Sequence, residues 1–160
     1  MSVDELQEYG LEKMSDTEIR SFLSTQKTGV LGLPEADAPY LIPLTFGYDG
    51  ETRLYFTFLL GSSSRKRTLS EAADAASFLV FKTDTMYNWE SALLTGSITA
   101  VPETEWDSLE EVLSETWRPE LFETATLSGE VNVYEFNIDE QTGIKHQGLP
   151  PALQTTDDSE

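Results

Sequence analysis

Apolar and polar positions follow two rhythms along the chain. Ile19, Phe22 and Leu23 recur at helical spacing behind Ser15-Asp16-Thr17-Glu18. In that sequence the Ser15 hydroxyl and the Glu18 carboxylate can each accept from the other residue's backbone N–H, so a short helix starts there. Six later stretches are instead rich in β-branched and aromatic residues bounded by turn formers. They are Thr28–Leu33, Tyr40–Tyr48, Arg53–Leu60, Ser77–Lys82, Trp89–Val101 and Val131–Ile138. Asp49-Gly50 reads as the hairpin turn between the second and third. Pro43 has no N–H to give a ladder, so its strand belongs at an edge or is bulged there. Two further helices are expected. One covers Arg65–Ala76 behind Ser64 as N-cap; the other is capped by Thr104 and turns Trp106, Leu109, Val112 and Leu113 to one side. Short connections between strands point to an antiparallel sheet rather than a doubly wound one. The expected fold is mainly β: a six-stranded antiparallel β-barrel with about three short helices packed outside.

At 160 residues the chain has the size of one domain with extensions. Residues 1–13 form an acidic, weakly patterned N-terminal arm suited to ordering on a partner subunit. Residues 14–148 form the domain, and 149–160 a flexible acidic tail. Charge changes the picture most. Ten Lys and Arg stand against 29 Asp and Glu, a net charge of −19. Such a chain repels a phosphate backbone and an anionic membrane surface, so neither is an expected partner. No apolar run approaches the ~18 residues of a spanning helix, and the N-terminus is acidic, so a cytoplasmic location is expected. The acid excess, with only five lysines, suits a halophilic protein whose self-repulsion is screened by salt. There is no cysteine and a single histidine, His146. Thiolate metal sites, disulfides and cysteine nucleophiles are thereby excluded, and no metal site is expected.

Candidate chemistry concentrates in Gly61-Ser62-Ser63-Ser64-Arg65-Lys66-Arg67, which places three of the ten basic residues side by side where a helix begins. Free N–H groups, hydroxyls and cationic side chains at that point would hold an anion such as a monophosphate. The same residues would also serve as a solubilising turn. Trp89-Glu90-Ser91 opens a strand, where Trp89 and Ser91 could line a pocket mouth or simply join the core. Asp107, Glu110, Glu111 and Glu115 read as a solvated helix face, and His146 as a surface residue. Asp157-Asp158 lacks the spacing of a calcium loop.

The order of these segments resembles the pyridoxamine 5′-phosphate oxidase-like, FMN-binding split barrels. The resemblance is carried by Leu54-Tyr55-Phe56-Thr57, by Gly61 to Lys66, and by Ser77-Phe78-Leu79-Val80-Phe81. The hairpin from Pro39 to Gly50 is most similar to the nitroimidazole-reductase-like branch, and Trp89 to Gly96 looks like the family's next strand. The resemblance implies a flavoprotein and oxidoreductase that binds FMN between the subunits of a homodimer. It implies that Ser64, Arg65 and Lys66 grip the phosphate. Pro43, Leu44 and Thr45 would lie along the ring, largely through backbone groups, while Phe56 and Thr57 meet the cofactor at a strand end. Ser91 takes the place of a glutamine that meets the flavin. Glu90 stands where the oxidases carry an arginine, and Thr57 where the nitroreductase-like branch often has a histidine. The resemblance therefore implies the cofactor and leaves catalytic residues, substrate and electron donor open. Related barrels bind the deazaflavin F420 or haem, and a non-catalytic flavin-binding or sensory module is the alternative from another class.

Overall fold

The computed structural model describes residues 7–59, 65–114 and 131–148. Ser64 and the tail 149–160 lie outside the described residues. The Ser15 capping box forms as expected and opens α1 (Asp16–Thr25), which buries Ile19, Phe22 and Leu23. Strands follow: β1 (Leu11–Lys13) ahead of α1, then β2 (Thr28–Leu33), β3 (Tyr40–Thr45), β4 (Gly47–Tyr48) and β5 (Arg53–Leu59). After α2 (Arg65–Ala72) come β6 (Ala76–Thr85) and β7 (Asn88–Ala100). A 3₁₀ turn (Glu103–Leu109) runs into α3 (Glu110–Ser114), and β8 (Val131–Gln147) completes the described chain.

All strands join one antiparallel sheet in the order β3-β2-β6-β7-β8-β5-β4, with β1 added to β8. Its two ends, β3 and β4, are one chain segment interrupted only at Phe46, so the sheet curls back on itself as a barrel. With β3 and β4 read as one strand this is the expected six-stranded mainly-β barrel, and β1 is the addition. Pro43 lies on β3, at one end of the sheet order, as its missing donor requires.

Inward positions alternate along the strands and fill the barrel. Phe78 meets Phe46 edge-on at 5.3 Å and Phe56 at 4.9 Å, and Phe136 completes the group. Outside, the 3₁₀ turn and α3 cover β5 and β8, where Trp106, Leu109 and Val112 pack on Tyr55, Val101 and Val133. Trp106 Nε1 donates to the Val101 carbonyl at 3.1 Å.

Several expected boundaries move. The second helix ends at Ala72 rather than Ala76, because Ala76 pairs with Gly96 and is drawn into β6. Thr104 does not cap the third helix. Pro102 stands at the N-cap without a side-chain bond, and a 3₁₀ turn forms there first. The last strand runs nine residues past Ile138, because its polar second half pairs with β7 on one edge and β1 on the other.

Candidate functional site

The sheet leaves a seam where β3 and β5 approach. β4 pairs with β5 through Gly47–Tyr55 and Tyr48–Leu54. Carrying that register past Phe46 puts Thr45 opposite Thr57, and the ladder stops before reaching them. On its far side β3 pairs with β2, with Pro43 opposite Val30. The Pro43–Thr45 backbone edge toward β5 is therefore outside any ladder among the described residues. Pro43 and Thr45 are exposed and Leu44 packs against the core. Phe56 is fully buried among the core rings, so that position offers a ligand its backbone alone. Thr57 alternates to the outer side and is nearly buried there.

Arg65 and Lys66 are the first two residues of α2. Five residues separate Leu59 from Arg65, which keeps the helix start within about 20 Å of the end of β5. Deeper in the same helix Ser70 is 2% exposed, and its hydroxyl has no hydrogen-bond partner among the described residues. A buried orphan hydroxyl of this kind is what a bound polar group or a water satisfies.

Trp89 and Ser91 lie elsewhere. Both are on the outer face of β7, three strands from β3, which at ~4.8 Å per strand is about 14 Å. One chain thus brings Thr45 and Thr57 to one seam and leaves Trp89 and Ser91 apart, while α2 packs on β7. The ground between is apolar. Pro43, Val30, Leu79 and Leu93 stand side by side in register across four strands. Leu41, Phe81 and Leu93 are 65%, 53% and 47% exposed. No outward position of β3, β2, β6 or β7 along this stretch is charged, from Thr28 and Leu41 at one edge to Trp89 and Thr95 at the other.

His146 is not the surface residue its sequence context suggests. It is 6% exposed on β8, opposite Trp89, and its ring lies 5.8 Å from that of Tyr87 and 6.1 Å from that of Trp89. Nδ1 donates to the Tyr87 carbonyl at 2.9 Å, which assigns the proton to that nitrogen. A separate cavity of about 380 Å³ lies between α1 and the ends of β6–β8, lined by Glu18, Lys82, Glu90 and Lys145. It contains none of the sequence-predicted site residues. Lys145 bonds Glu18 there and sits 3.7 Å from Glu12. That bond holds the Glu18 carboxyl below its ordinary range and the Lys145 ammonium above its own.

The sequence model described as pyridoxamine 5′-phosphate oxidase matches residues 15–145. The chain belongs to that family. No curated protein matches it in sequence. Among solved structures, an FAD-binding protein of Mesorhizobium loti superposes with a TM-score of 0.69 at 19% identity, covering 86% of this chain and 98% of that one. An FAD and haem binding protein of Mycobacterium smegmatis gives a TM-score of 0.69 at 15% identity, over 86% of this chain and 75% of that one. A flavocytochrome of Azotobacter vinelandii gives 0.65 at 17% identity, over 90% and 72%. These likenesses establish the split-barrel fold for this member of the pyridoxamine 5′-phosphate oxidase family. In this member Glu90 is half-buried beside the α1 cavity, on the inward side of β7, and Ser91 faces outward. Two features escaped sequence reasoning. Ser70 sits mid-helix with nothing local to mark it. The uncharged outer face becomes visible only when the outward positions of four strands are read together.

Proposed function

We propose that this protein binds a flavin, FMN, along the β3–β5 seam, as an oxidoreductase that works as a homodimer. The observation that carries the reading is the seam itself. The Pro43–Thr45 backbone edge toward β5 is outside any ladder among the described residues, and the helix that follows β5 begins with Arg65 and Lys66. The backbone groups of that edge suit the polar rim of an isoalloxazine ring, and the helix start with its two cations suits a phosphate. Structural relatives that are FAD-binding proteins support the cofactor class.

When bound, the flavin supplies the electron chemistry. The chain's own residues bind, orient and exclude water. Pro43 and Leu44 offer an apolar wall, Thr45 and Thr57 flank the seam, and Arg65 and Lys66 neutralise the phosphate. No acid–base pair in this chain is needed for these roles.

The uncharged outer face, on which Leu41, Phe81 and Leu93 stand exposed, supports the homodimer reading. A second copy laid on it would bring its own Trp89 and Ser91 toward the first copy's seam, gathering residues that one chain keeps apart. The test is the near-ultraviolet and visible spectrum of the protein purified in high salt, followed by release and identification of the chromophore. Flavin bands with FMN released in equal amount to the chain are expected; released FAD would change the nucleotide. Haem bands, F420, or a colourless protein that takes up no added flavin would overturn the reading.

A further inference from the structure

We infer that salt gates this site: two copies pair through the uncharged face of β3–β2–β6–β7 only when their like charges are screened, and flavin binds the pair. The inference rests on the flavin reading above and concerns how the site is switched on.

Three observations carry it. The chain has 29 acidic residues and a net charge of −19, yet the outward positions of four adjacent strands hold none of them. Acid is thus absent from the outward positions of one face in a strongly acidic chain. The ends of that face are marked by acid instead. Exposed Asp37 sits in the β2–β3 loop at one end and exposed Asp84 in the β6–β7 hairpin at the other. Finally, Trp89 and Ser91 lie three strands from Thr45 within one chain, so a site that uses them is incomplete without a partner.

Pairing two such copies buries apolar surface but sets their charges against each other. The repulsion reaches about 10 Å at ~0.1 M salt and about 3 Å at ~1 M. Apolar contact acts only at touching distance, so at low salt repulsion is met first, and at high salt it is confined to the rim. Flavin that binds the pair and not the single chain then tightens pairing by the same factor that pairing tightens flavin. The sign separates this from a site complete in one chain. There, salt screens Arg65 and Lys66 from the phosphate and weakens FMN. Under the gate, salt strengthens it. Riboflavin, which has no phosphate, separates both from simple repulsion between the chain and an anionic cofactor, which would leave riboflavin indifferent to salt.

The experiment uses the full chain in KCl from about 0.1 M to about 2 M. Molar mass is read by sedimentation equilibrium, FMN and riboflavin binding by fluorescence quenching, and fold by circular dichroism at each salt. The mass should double across the range, and both flavins should bind roughly tenfold or more tightly over the same interval. At fixed intermediate salt, raising protein concentration should reproduce both changes. The pair Asp37→Asn and Asp84→Asn should move the transition to lower salt. Leu93→Asp should hold the chain single and without flavin at every salt while its dichroism is unchanged, because Leu93 is 47% exposed and its loss opens no core. Should the chain unfold at the lowest salt, the concentration series just above that point decides the matter. A mass that ignores salt, flavin affinity that falls with salt, or full binding by the single chain overturns the gate. Pairing driven by salt with no uptake of either flavin overturns the flavin reading, and the gate with it, while leaving the paired face standing.

Discussion

Lys145 shows how one residue's neighbours set its chemistry. Its side chain is 16% exposed, with Glu12 across the strand pair and Glu18 reaching down from α1. The bond to Lys145 depresses Glu18, so Glu18's contribution to stability is present above its ordinary value near 4.5 and is lost as pH falls through the lower folded value. Lys145 is raised by the same bond, so its contribution is present at and below its ordinary 10.5 and is lost only as pH rises past the folded value. In Lys145→Gln the Glu18 carboxyl should titrate upward by NMR, with the Ser15 capping bonds still holding it down in part, and acid unfolding should begin at higher pH. An unmoved Glu18 titration would dissociate the two groups. Arg65→Ala tests the other charged position. Loss of a charge-assisted contact of ~1.5–3 kcal/mol should weaken FMN by roughly 10- to 100-fold, read by flavin quenching. Unchanged affinity would remove Arg65 from the site. At this scale sequence reading was uneven. The basic run beside a helix start was legible because it is local. The burial of His146 was not, because Tyr87 and Trp89 reach it through strand pairing across some sixty residues of chain.

The elements were legible where their cause is local and mistaken where a partner strand decides. Ser15 and Glu18 cap α1 from three residues apart, and the pattern could be read directly. Asp49 was a turn signal, and its carboxylate accepts from the backbone N–H of Glu51, Thr52 and Arg53 while Gly50 takes φ +89°. β8 is the opposite case. Asp139-Glu140-Gln141-Thr142-Gly143 has the composition of a loop, yet it is strand because β7 pairs with Glu140 to Gly143 and again from Ile138, leaving Asp139 at a bulge. The same pair holds a register shift between Thr95 and Gly96, where a Cβ on Gly96 would stand 1.8 Å from the Asn137 carbonyl oxygen. Only glycine fits without moving the backbone. Gly96→Ala should therefore cost about 1–3 kcal/mol in chemical denaturation, with no change in the residues of the β3–β5 seam. A neutral result would show that β7 and β8 slide apart freely at that bulge.

Across the whole molecule, charge and closure work against one another. Closing the sheet through the β3–β4 segment buries a compact aromatic core, while a net charge of −19 favours expansion. Added salt should tip this balance toward the barrel, raising the melting temperature by roughly 5 °C or more between low and molar KCl, followed by circular dichroism at a protein concentration low enough to keep copies apart. A melting temperature indifferent to salt would show that the acids are too dispersed to matter. The mainly-β class, the first helix, the edge position of Pro43 and the acid excess were determined by the sequence itself. Each depends on residue periodicity, local capping, turn chemistry or simple composition, and these act over a few residues or need no geometry at all. What only the tertiary structure decided was coverage: β1 on β8, the extension of β8, the burial of His146, the seam beside Thr45 and the uncharged outer face of β3, β2, β6 and β7. Those depend on register between distant strands, which shifts every side chain from one face to the other with each single-residue slip. Such a choice is made by the packing of the whole sheet and has no local trace in the chain.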